Sequence, residues 1–464
     1  MKKKKITIPH TYSLLFMVVI LMAILTYFVP AGSFERVEDP KTSRIMVIPN
    51  SYHSVESQPV SIFETFKAIP TGMENVGYII FFVLMIGGTF GILKGTGAID
   101  SGIYSIVTKM KGHEKLVIPV TMFVFSLAGA ILGSAEEMLP FYPIVISLAL
   151  ALGFDSLTGT AMVLLGAGSG FVGAFLNPFT IGIAQGIAGL PLFSGIAFRL
   201  LAYVTFLSVS IIFVYRYAGR IQKDPTLSIT YEEDKTKVIH QEDNENFEFT
   251  TKHKLVLCIF LIGLIGLAYG IIKLDFYIKE LTATFLMIGI ISGAIGGLGI
   301  NGIAEKFVEG AQELVYGALI IGLASSIMVV MEEGMILDTF INSLSKMVEG
   351  FPPIISGGLM FIVQSIINFF IPSGSGQAAA SMPIMAPMAD LVNITRQTAV
   401  LAFQFGDGIS NVINPTSGYF MAALAIGGIK WEKYVKWFLP LFIIWNILAI
   451  AFVMISVLIG YGPF

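Results

Sequence analysis

Charge is scarce in this 464-residue chain, where Asp, Glu, Lys and Arg together make up 13% of the residues. A typical soluble domain carries about 25%. Hydrophobic residues make up 55%, so the few charges cannot cover a water-soluble surface, which excludes soluble globular and disordered proteins. The net charge of −3 and the lack of a basic stripe argue against binding to nucleic acid. The composition therefore predicts an all-α polytopic membrane protein.

Cysteine and catalytic motifs are also nearly absent. Cys258 is the only cysteine, which excludes an intramolecular disulfide, and no histidine is spaced with Cys, Asp or Glu as in a metal site. The sequence contains no HExxH, GxSxG or Walker A motif. We therefore expect neither an enzyme nor a metal or cofactor site.

Long apolar runs predict the membrane topology. A spanning helix needs about 20 apolar residues, and the first such run, Tyr12–Val29, follows four consecutive lysines. Because positive residues collect on the cytoplasmic side of a membrane, we expect a cytoplasmic N-terminus in a multi-pass protein of the plasma (inner) membrane. Residues 31–77 are then external, and their last part, Ile62–Glu74, has the pattern of an amphipathic helix.

Composition divides the chain into six segments. They are an N-terminal helix (1–30), the external loop with its amphipathic helix (31–77), a first repeat (78–217), a charged linker (218–252), two scaffold helices (253–300) and a second repeat (301–464). The linker combines mixed charges with few apolar residues, which is typical of a solvated segment. We predict that it is a cytoplasmic tether between the two repeats.

The two repeats share short strings in the same order. The pairs, spaced by 238 positions or one fewer, are Thr160-Ala161 with Thr398-Ala399, Gly168-Ser169-Gly170 with Gly406-Asp407-Gly408, and Asn177-Pro178 with Asn414-Pro415. Ordered matches at one spacing indicate duplication.

Positive charges indicate that the repeats have opposite orientations. The last span of the first repeat is followed by Arg216 and Arg220, whereas the last span of the second is preceded by Lys430, Lys433 and Lys436. With positive residues inside, these equivalent helices cross the membrane in opposite directions. Inverted-topology repeats are characteristic of secondary transporters.

The apolar region after Lys115 must start on the cytoplasmic side and end on the external side near Pro191, so it crosses the membrane an odd number of times. This predicts an interrupted region in each repeat. We expect a re-entrant hairpin at about 116–150 and a broken helix at about 156–189, and their counterparts at about 353–390 and 396–425. The whole chain then has about nine spanning helices and two re-entrant hairpins.

Polar clusters at membrane depth are the candidate substrate site, because broken backbone is tolerated in a membrane only beside protein or a water-filled cavity. The predicted helix breaks are Gly168, Gly170, Pro178, Gly374, Gly376, Gly406, Gly408 and Pro415. The predicted substrate-binding residues are Ser134, Glu136, Glu137, Ser169, Asn177, Thr180, Ser373, Ser375, Gln377, Asp407, Ser410, Asn411, Asn414 and Thr416.

Three acidic residues bear on the substrate. A carboxylate at membrane depth costs roughly 3 kcal/mol, and no Lys or Arg lies near Glu136, Glu137 or Asp407 in these clusters. Each could face a substrate cation, a sodium ion or a proton, or be a protonated structural carboxyl. A molecule with one carboxylate and a cationic end fits best, because helix N-termini at the hairpin tips suit a carboxylate. A basic amino acid is therefore our first expectation. A proton- or sodium-coupled carrier of C4-dicarboxylates or short peptides is the alternative.

Three strings resemble those of a known family. SAEEMLPFY at 134–142, LGAG at 165–168 and NPFTIGIA at 177–184 are similar to strings of the YfcC-type transporters, which belong with the C4-dicarboxylate carrier-like families of the ion-transporter superfamily. The resemblance covers nearly the whole chain. It implies a homodimer, an elevator mechanism and exchange of basic amino acids of the arginine/ornithine type. The Ser-Asn-Thr signature of the dicarboxylate/sodium symporters is absent from both hairpin tips.

Overall fold

The computed structural model describes residues 11–38, 45–48, 51–99, 101–102, 105, 112–133, 135–235, 250–274, 276 and 278–462. The N-terminal lysines and residues 236–249 of the charged linker lie outside the described residues. Apart from four short strands, the regular structure is helical. This agrees with the all-α prediction.

Helices account for most of the chain. In order they are α1 (Thr11–Leu25), α2 (Ile62–Asn75), α3 (Gly77–Gly95), α4 (Val117–Leu127), α5 (Tyr142–Ala151), α6 (Ser156–Val172), α7 (Ile183–Ile187), α8 (Ile196–Ile221), α9 (Thr251–Lys273), α10 (Ile278–Gly296), α11 (Gly299–Glu313), α12 (Val315–Glu333), α13 (Leu337–Lys346), α14 (Pro353–Phe370), α15 (Gly374–Leu391), α16 (Arg396–Ser410), α17 (Gly418–Gly427) and α18 (Trp431–Leu458).

Six helices in the described part of the chain are long and apolar enough to cross a membrane, and a bent pair of helices brings the count to seven. Several other apolar helices are shorter, such as α6 and α17. They are short because each ends at a break in the middle of an apolar region. The count of nine spans therefore stays a prediction.

The predicted external loop forms two small antiparallel ribbons. Gly32–Ser33 pairs with His53–Ser54, and Arg36–Glu38 pairs with Ile45–Val47. The amphipathic helix follows as α2, and the Ser61 side chain caps it by accepting the N–H of Glu64.

Two segments each consist of two helices joined at a break, and we call them hairpin 1 and hairpin 2 after their predicted form. Hairpin 1 (117–151) consists of α4, a π-helical turn to Leu132, a bend at Gly133, a 3-10 turn at Glu136–Phe141 and α5. Gly133 has φ +67°, a left-handed conformation that favours glycine. Hairpin 2 (353–391) consists of α14 and α15 with a break at residues 371–373.

Two broken helices follow the hairpins. Broken helix 1 (156–187) consists of α6, a non-helical stretch, a π-helical turn at Pro178–Gly182 and α7. Broken helix 2 (396–427) consists of α16 and α17, separated by residues 411–417. In each broken helix the proline lies at the predicted break.

The predicted glycine breaks have a different role. Gly168, Gly170, Gly406 and Gly408 lie inside the continuous helices α6 and α16, and Gly374 and Gly376 lie in the first turn of α15. A Cβ on Gly168 would lie 2.8 Å from Cγ1 of Val412, and one on Gly408 would lie 2.9 Å from Cα of Val172. These two glycines let the two broken helices pack closely where they cross. Their role is therefore in helix packing and not in breaking the chain.

Amphipathic helices precede the first apolar helix of each half. Helix α2 packs against α12, and α11 packs against α3. The starts of α2 and α11 are separated by nearly the same spacing as the strings of the repeats. An amphipathic helix therefore stands directly before an apolar helix in both places, and the repeat itself stays a prediction.

The contact between α3 and α11 depends on three glycines. A Cβ on Gly91 would lie 2.9 Å from Cα of Gly310, and one on Gly310 would lie 2.8 Å from Cα of Gly91. Gly87 is equally close, since its Cβ would lie 2.6 Å from the carbonyl oxygen of Gly310. Small residues let helix backbones approach closely in membranes.

Replacing Gly91 by alanine should therefore destabilise the protein. Forcing extra atoms into a packed contact costs about 1–3 kcal/mol, and thermal unfolding in detergent would measure the loss. Gly266→Ala in α9 is the control, because a Cβ there meets nothing within 4 Å. Equal melting temperatures for the two variants would contradict the close contact.

Candidate functional site

A cavity of about 290 Å³ lies where both hairpins and both broken helices meet. Hairpin 1 contributes Glu136, and hairpin 2 contributes Ser373 to Ser375. The broken helices contribute Thr180, Asn411 and Thr416. Sequence clusters that are more than 200 residues apart thus line one space.

Helices α3 and α12 form another wall of the cavity. Tyr78 and Ile79 come from α3, and Ile321, Ser325 and Met328 come from α12. Sequence reasoning missed these residues because they lie in ordinary apolar spans without any glycine or proline signal. Only their position opposite the hairpin tips makes them part of the site.

Nine of the predicted residues line the cavity. They are Glu136, Gly168, Thr180, Ser373, Gly374, Ser375, Gly408, Asn411 and Thr416. Ser134 lies outside the described residues, as do the side chains of Glu137 and Pro178. The remaining predicted residues stand behind the cavity wall. They are Ser169, Gly170, Asn177, Gly376, Gln377, Gly406, Asp407, Ser410, Asn414 and Pro415.

Several residues behind the wall satisfy the local backbone or each other. The hydroxyl of Ser169 donates to the carbonyl of Gly166 (2.9 Å), and that of Ser410 donates to the carbonyl of Gly406. The Gln377 amide donates to the Gln364 carbonyl (2.8 Å). Hydrogen bonds within a helix or hairpin occupy these groups, so they support the site instead of facing it.

Asp407 is fully buried in a network of amides. Its Oδ1 accepts hydrogen bonds from Nδ2 of Asn368 (2.8 Å) and Nδ2 of Asn411 (2.7 Å). The same Asn368 donates to Oε1 of Gln377 (3.0 Å) and accepts from Asn414 (3.2 Å). Asn368 was not predicted, although a polar residue in the apolar run of hairpin 2 was a usable signal.

The other oxygen of Asp407 has no hydrogen-bond partner among the described residues. It lies close to the start of α15, since a Cβ on Gly374 would be 2.9 Å from this oxygen and 2.5 Å from Cγ2 of Thr180. The side-chain oxygens of Thr180, Asn411 and Thr416 are also buried without a partner. Unsatisfied buried oxygens beside a cavity are suited to a cation or to a ligand donor.

Equivalent helix starts differ between the halves. In broken helix 1, Oδ1 of Asn177 accepts the N–H groups of Phe179 (2.9 Å) and Thr180 (3.2 Å) and so satisfies that helix start. In broken helix 2, no side chain caps α17, whose first residues Ser417 and Gly418 line the cavity. An uncapped helix N-terminus attracts anions through its N–H groups and dipole.

The tips of the two hairpins also present different chemical groups to the cavity. After the break, hairpin 2 continues as α15, whose N-terminus faces the cavity. The Oγ of Ser373 caps this helix by accepting the N–H of Gly376 (3.3 Å). Hairpin 1 instead places the acidic side chain of Glu136 at the cavity. One half therefore presents a carboxyl group and the other presents helix N-termini. Groups of three or more His, Cys, Asp or Glu able to hold a metal do not occur among the described residues.

Replacing Asn368 by alanine should disrupt the network behind the cavity. Leaving a buried acceptor without its donor costs about 1–3 kcal/mol, and Asn368 donates to both Asp407 and Gln377. Thermal unfolding would show the loss. Ser365→Ala in the same helix removes only a bond to the Phe361 carbonyl and should be nearly neutral. A wild-type melting temperature for Asn368→Ala would refute the network.

Apolar helices that break around a polar cavity are the architecture of membrane transporters. The family comparison gives the same class. The model of the C4-dicarboxylate anaerobic carriers, DcuC, matches residues 8–458. The chain belongs to this family and is a multi-pass membrane transporter.

Two bacterial relatives match nearly the full chain. The chain is 34% identical to the "Putative basic amino acid antiporter YfcC" of Escherichia coli (strain K12), over 97% of this chain and 95% of that protein. It is 31% identical to an "Uncharacterized protein" of Haemophilus influenzae, over 95% of each.

Solved structures give more distant matches. The Alcanivorax borkumensis YdaH transporter has 16% sequence identity and a TM-score of 0.42, with 98% of this chain and 100% of that chain covered. MtrF of Neisseria gonorrhoeae has 18% identity and a TM-score of 0.43, with 98% and 96% covered.

Proposed function

We propose that the protein is a secondary active transporter that exchanges basic amino acids, of the arginine and ornithine kind, across the plasma (inner) membrane. The observation that carries this proposal is the polarity of the cavity. Glu136 stands on one part of its wall, and the uncapped N-terminus of α17 stands on another. An amino acid with a cationic side chain has the matching pair of groups.

The carboxylate of the substrate would bind at the helix N-termini of the second half. Backbone N–H groups at the start of α17 and the hydroxyl of Thr416 supply donors there without adding charge. The cationic end would bind Glu136, which has no ion pair with Lys or Arg among the described residues. A charged hydrogen bond formed in such a partly desolvated site contributes about 1.5–3 kcal/mol.

The same charges favour exchange over net uptake. An unpaired carboxyl group that moves past the apolar faces of α3 and α12 loses solvation without compensation. A bound cation removes most of this cost. The loaded carrier would therefore cross between its two states more readily than the empty one, which couples the exit of one substrate to the entry of another.

The name of the Escherichia coli relative supports a basic amino acid. The family name, C4-dicarboxylate anaerobic carrier, supports the alternative, a carrier of dicarboxylates or short peptides. A proton or sodium ion at Asp407 would then be the coupling ion, because one buried oxygen of this carboxyl lacks a partner. Two helix N-termini at one cavity would also suit two carboxylates.

We further propose an elevator motion between inverted repeats. The hairpins and broken helices would form the moving body, and α3 and α12 would belong to the fixed scaffold. The division of the cavity wall between these two sets of elements supports this assignment. A homodimer in the lipid bilayer with a cytoplasmic N-terminus completes the proposal. The same order of hairpin and broken helix in each half supports the repeat.

Counterflow in proteoliposomes tests the substrate. Vesicles loaded with ornithine should take up labelled arginine much faster than empty vesicles or vesicles loaded with succinate. Labelled succinate should not accumulate in any of them. Uptake of succinate without uptake of arginine, ornithine or lysine would support the dicarboxylate alternative and overturn our proposal.

Glu136→Gln tests the cationic end of the site. Removing the charge should weaken arginine binding about tenfold or more, because a charged hydrogen bond is replaced by a neutral one. Isothermal titration of the purified protein with arginine would measure the change. Glu305→Gln on the exposed face of α11 is the matched control and should bind arginine as the wild type does. Equal affinities in both variants would remove Glu136 from the site.

A further inference from the structure

The first part of the charged linker is an ordered element of the transporter. Helix α8 extends to Ile221, and a 3-10 turn at Pro225–Leu227 follows. Residues 224–235, which we call the strap, lie against the start of α6 and the start of α18. Thr230 is 1% exposed and Asp234 is 7% exposed, although the segment was predicted to be solvated.

Asp155 anchors the strap to the start of broken helix 1. Its Oδ1 caps α6 by accepting the N–H of Thr158 (2.8 Å). Its Oδ2 accepts the hydroxyls of Tyr217 in α8 (2.6 Å) and Ser228 in the strap (2.6 Å). One buried carboxylate thus joins α6, α8 and the strap.

Asp234 binds the same helix start from the strap. Its Oδ2 accepts the backbone N–H of Ser156 (2.9 Å) and the hydroxyl of Thr230 (2.7 Å), and its Oδ1 accepts the hydroxyl of Ser156. Two carboxylates therefore lie at the N-terminus of α6, where the helix dipole favours negative charge.

Lys433 ties the strap to α18. Its Nζ donates to the carbonyl of Ile229 (2.8 Å) and to Oε1 of Glu233 (2.7 Å). Burial alone would raise the pKa of Glu233, but the hydrogen bond from Lys433 and the charges of Lys433 and Lys430 hold that pKa below its ordinary value. The strap is therefore bound through charged groups at both α6 and α18.

Helix α6 connects the strap to the cavity. The strap binds its first residues, and Ala167, Gly168 and Phe171 near its other end line the cavity. This continuous helix of 17 residues is about 25 Å long, so one set of helical hydrogen bonds joins the strap to the cavity. We expect a shift at its start to change the position of the cavity wall.

We propose that residues 224–235 are a positioning element of the substrate-binding body and are not part of the tether between the halves. The strap holds α6 against α8 and α18 and so fixes the wall at Gly168 and Phe171. It remains bound during transport, because release would leave Asp155 and Asp234 without several of their donors. The expected effect on substrate binding rests on the proposed function, whereas the attachment of the strap does not.

Charge reversal of the Glu233–Lys433 pair tests the proposal. Glu233→Lys and Lys433→Glu should each loosen the strap. The double variant should restore the ion pair but not the hydrogen bond to the Ile229 carbonyl. Glu232→Lys is the matched control, because it makes the same charge change one residue away, and among the described residues Glu232 forms an ion pair with Lys235 alone. We expect arginine to bind about three- to tenfold more weakly to each single variant, as for other substitutions that act at a distance.

Hydrogen exchange provides a readout that needs no substrate. Amides in 154–160 and 166–172 should exchange faster in both single variants, and more slowly in the double variant than in either single variant. The proposal would be overturned if both single variants exchanged at the rates of the Glu232→Lys control. It would also be overturned if exchange were faster at 154–160 but unchanged at 166–172. Wild-type protein that fails to bind arginine would refute the proposed substrate alone. If Glu233→Lys does not fold, Lys433→Glu and the double variant still decide the outcome.

Discussion

The architecture depends on the hydrogen-bonding needs of backbone inside a membrane. Each break in a helix leaves N–H and C=O groups that hydrocarbon cannot satisfy. In this protein the four breaks lie together, and side chains such as Asn177 supply the missing partners. The cavity is a consequence of this grouping, because groups that are not satisfied by protein need water or a ligand.

The two halves share an order of elements but differ at the cavity. The first half satisfies a helix start with Asn177 and places Glu136 at the wall, while the second half leaves the start of α17 uncapped. One side of the cavity is therefore acidic, and the other side offers backbone donors. This difference is the basis of the proposed substrate with two unlike ends.

Much of the fold could be predicted from sequence, because glycine, proline and small polar residues stand out in an apolar chain. Helices separated by breaks lie at 117–151, 156–187, 353–391 and 396–427, close to the predicted interrupted regions. That the first and third of these segments are re-entrant stays a prediction. The role of the glycines could not be predicted: Gly168 and Gly408 permit helix crossing, and only the neighbouring Val412 and Val172 reveal it.

Other parts of the site have no sequence signal at all. Tyr78 and Met328 look like ordinary residues of spanning helices, and only the packing of α3 and α12 against the hairpin tips brings them to the cavity. The strap has the composition of a solvated linker, and its Asp234 is buried because the start of α6 offers it a free N–H group. Burial of a charged segment follows from its partner, which local composition does not contain.

The start of α17 has one further consequence. Backbone amides neither gain nor lose a proton in the range of pH that cells experience, so the attraction of this helix end for an anion is constant. In the proposed site, the contribution of this helix end to binding a substrate carboxylate would therefore not change with pH.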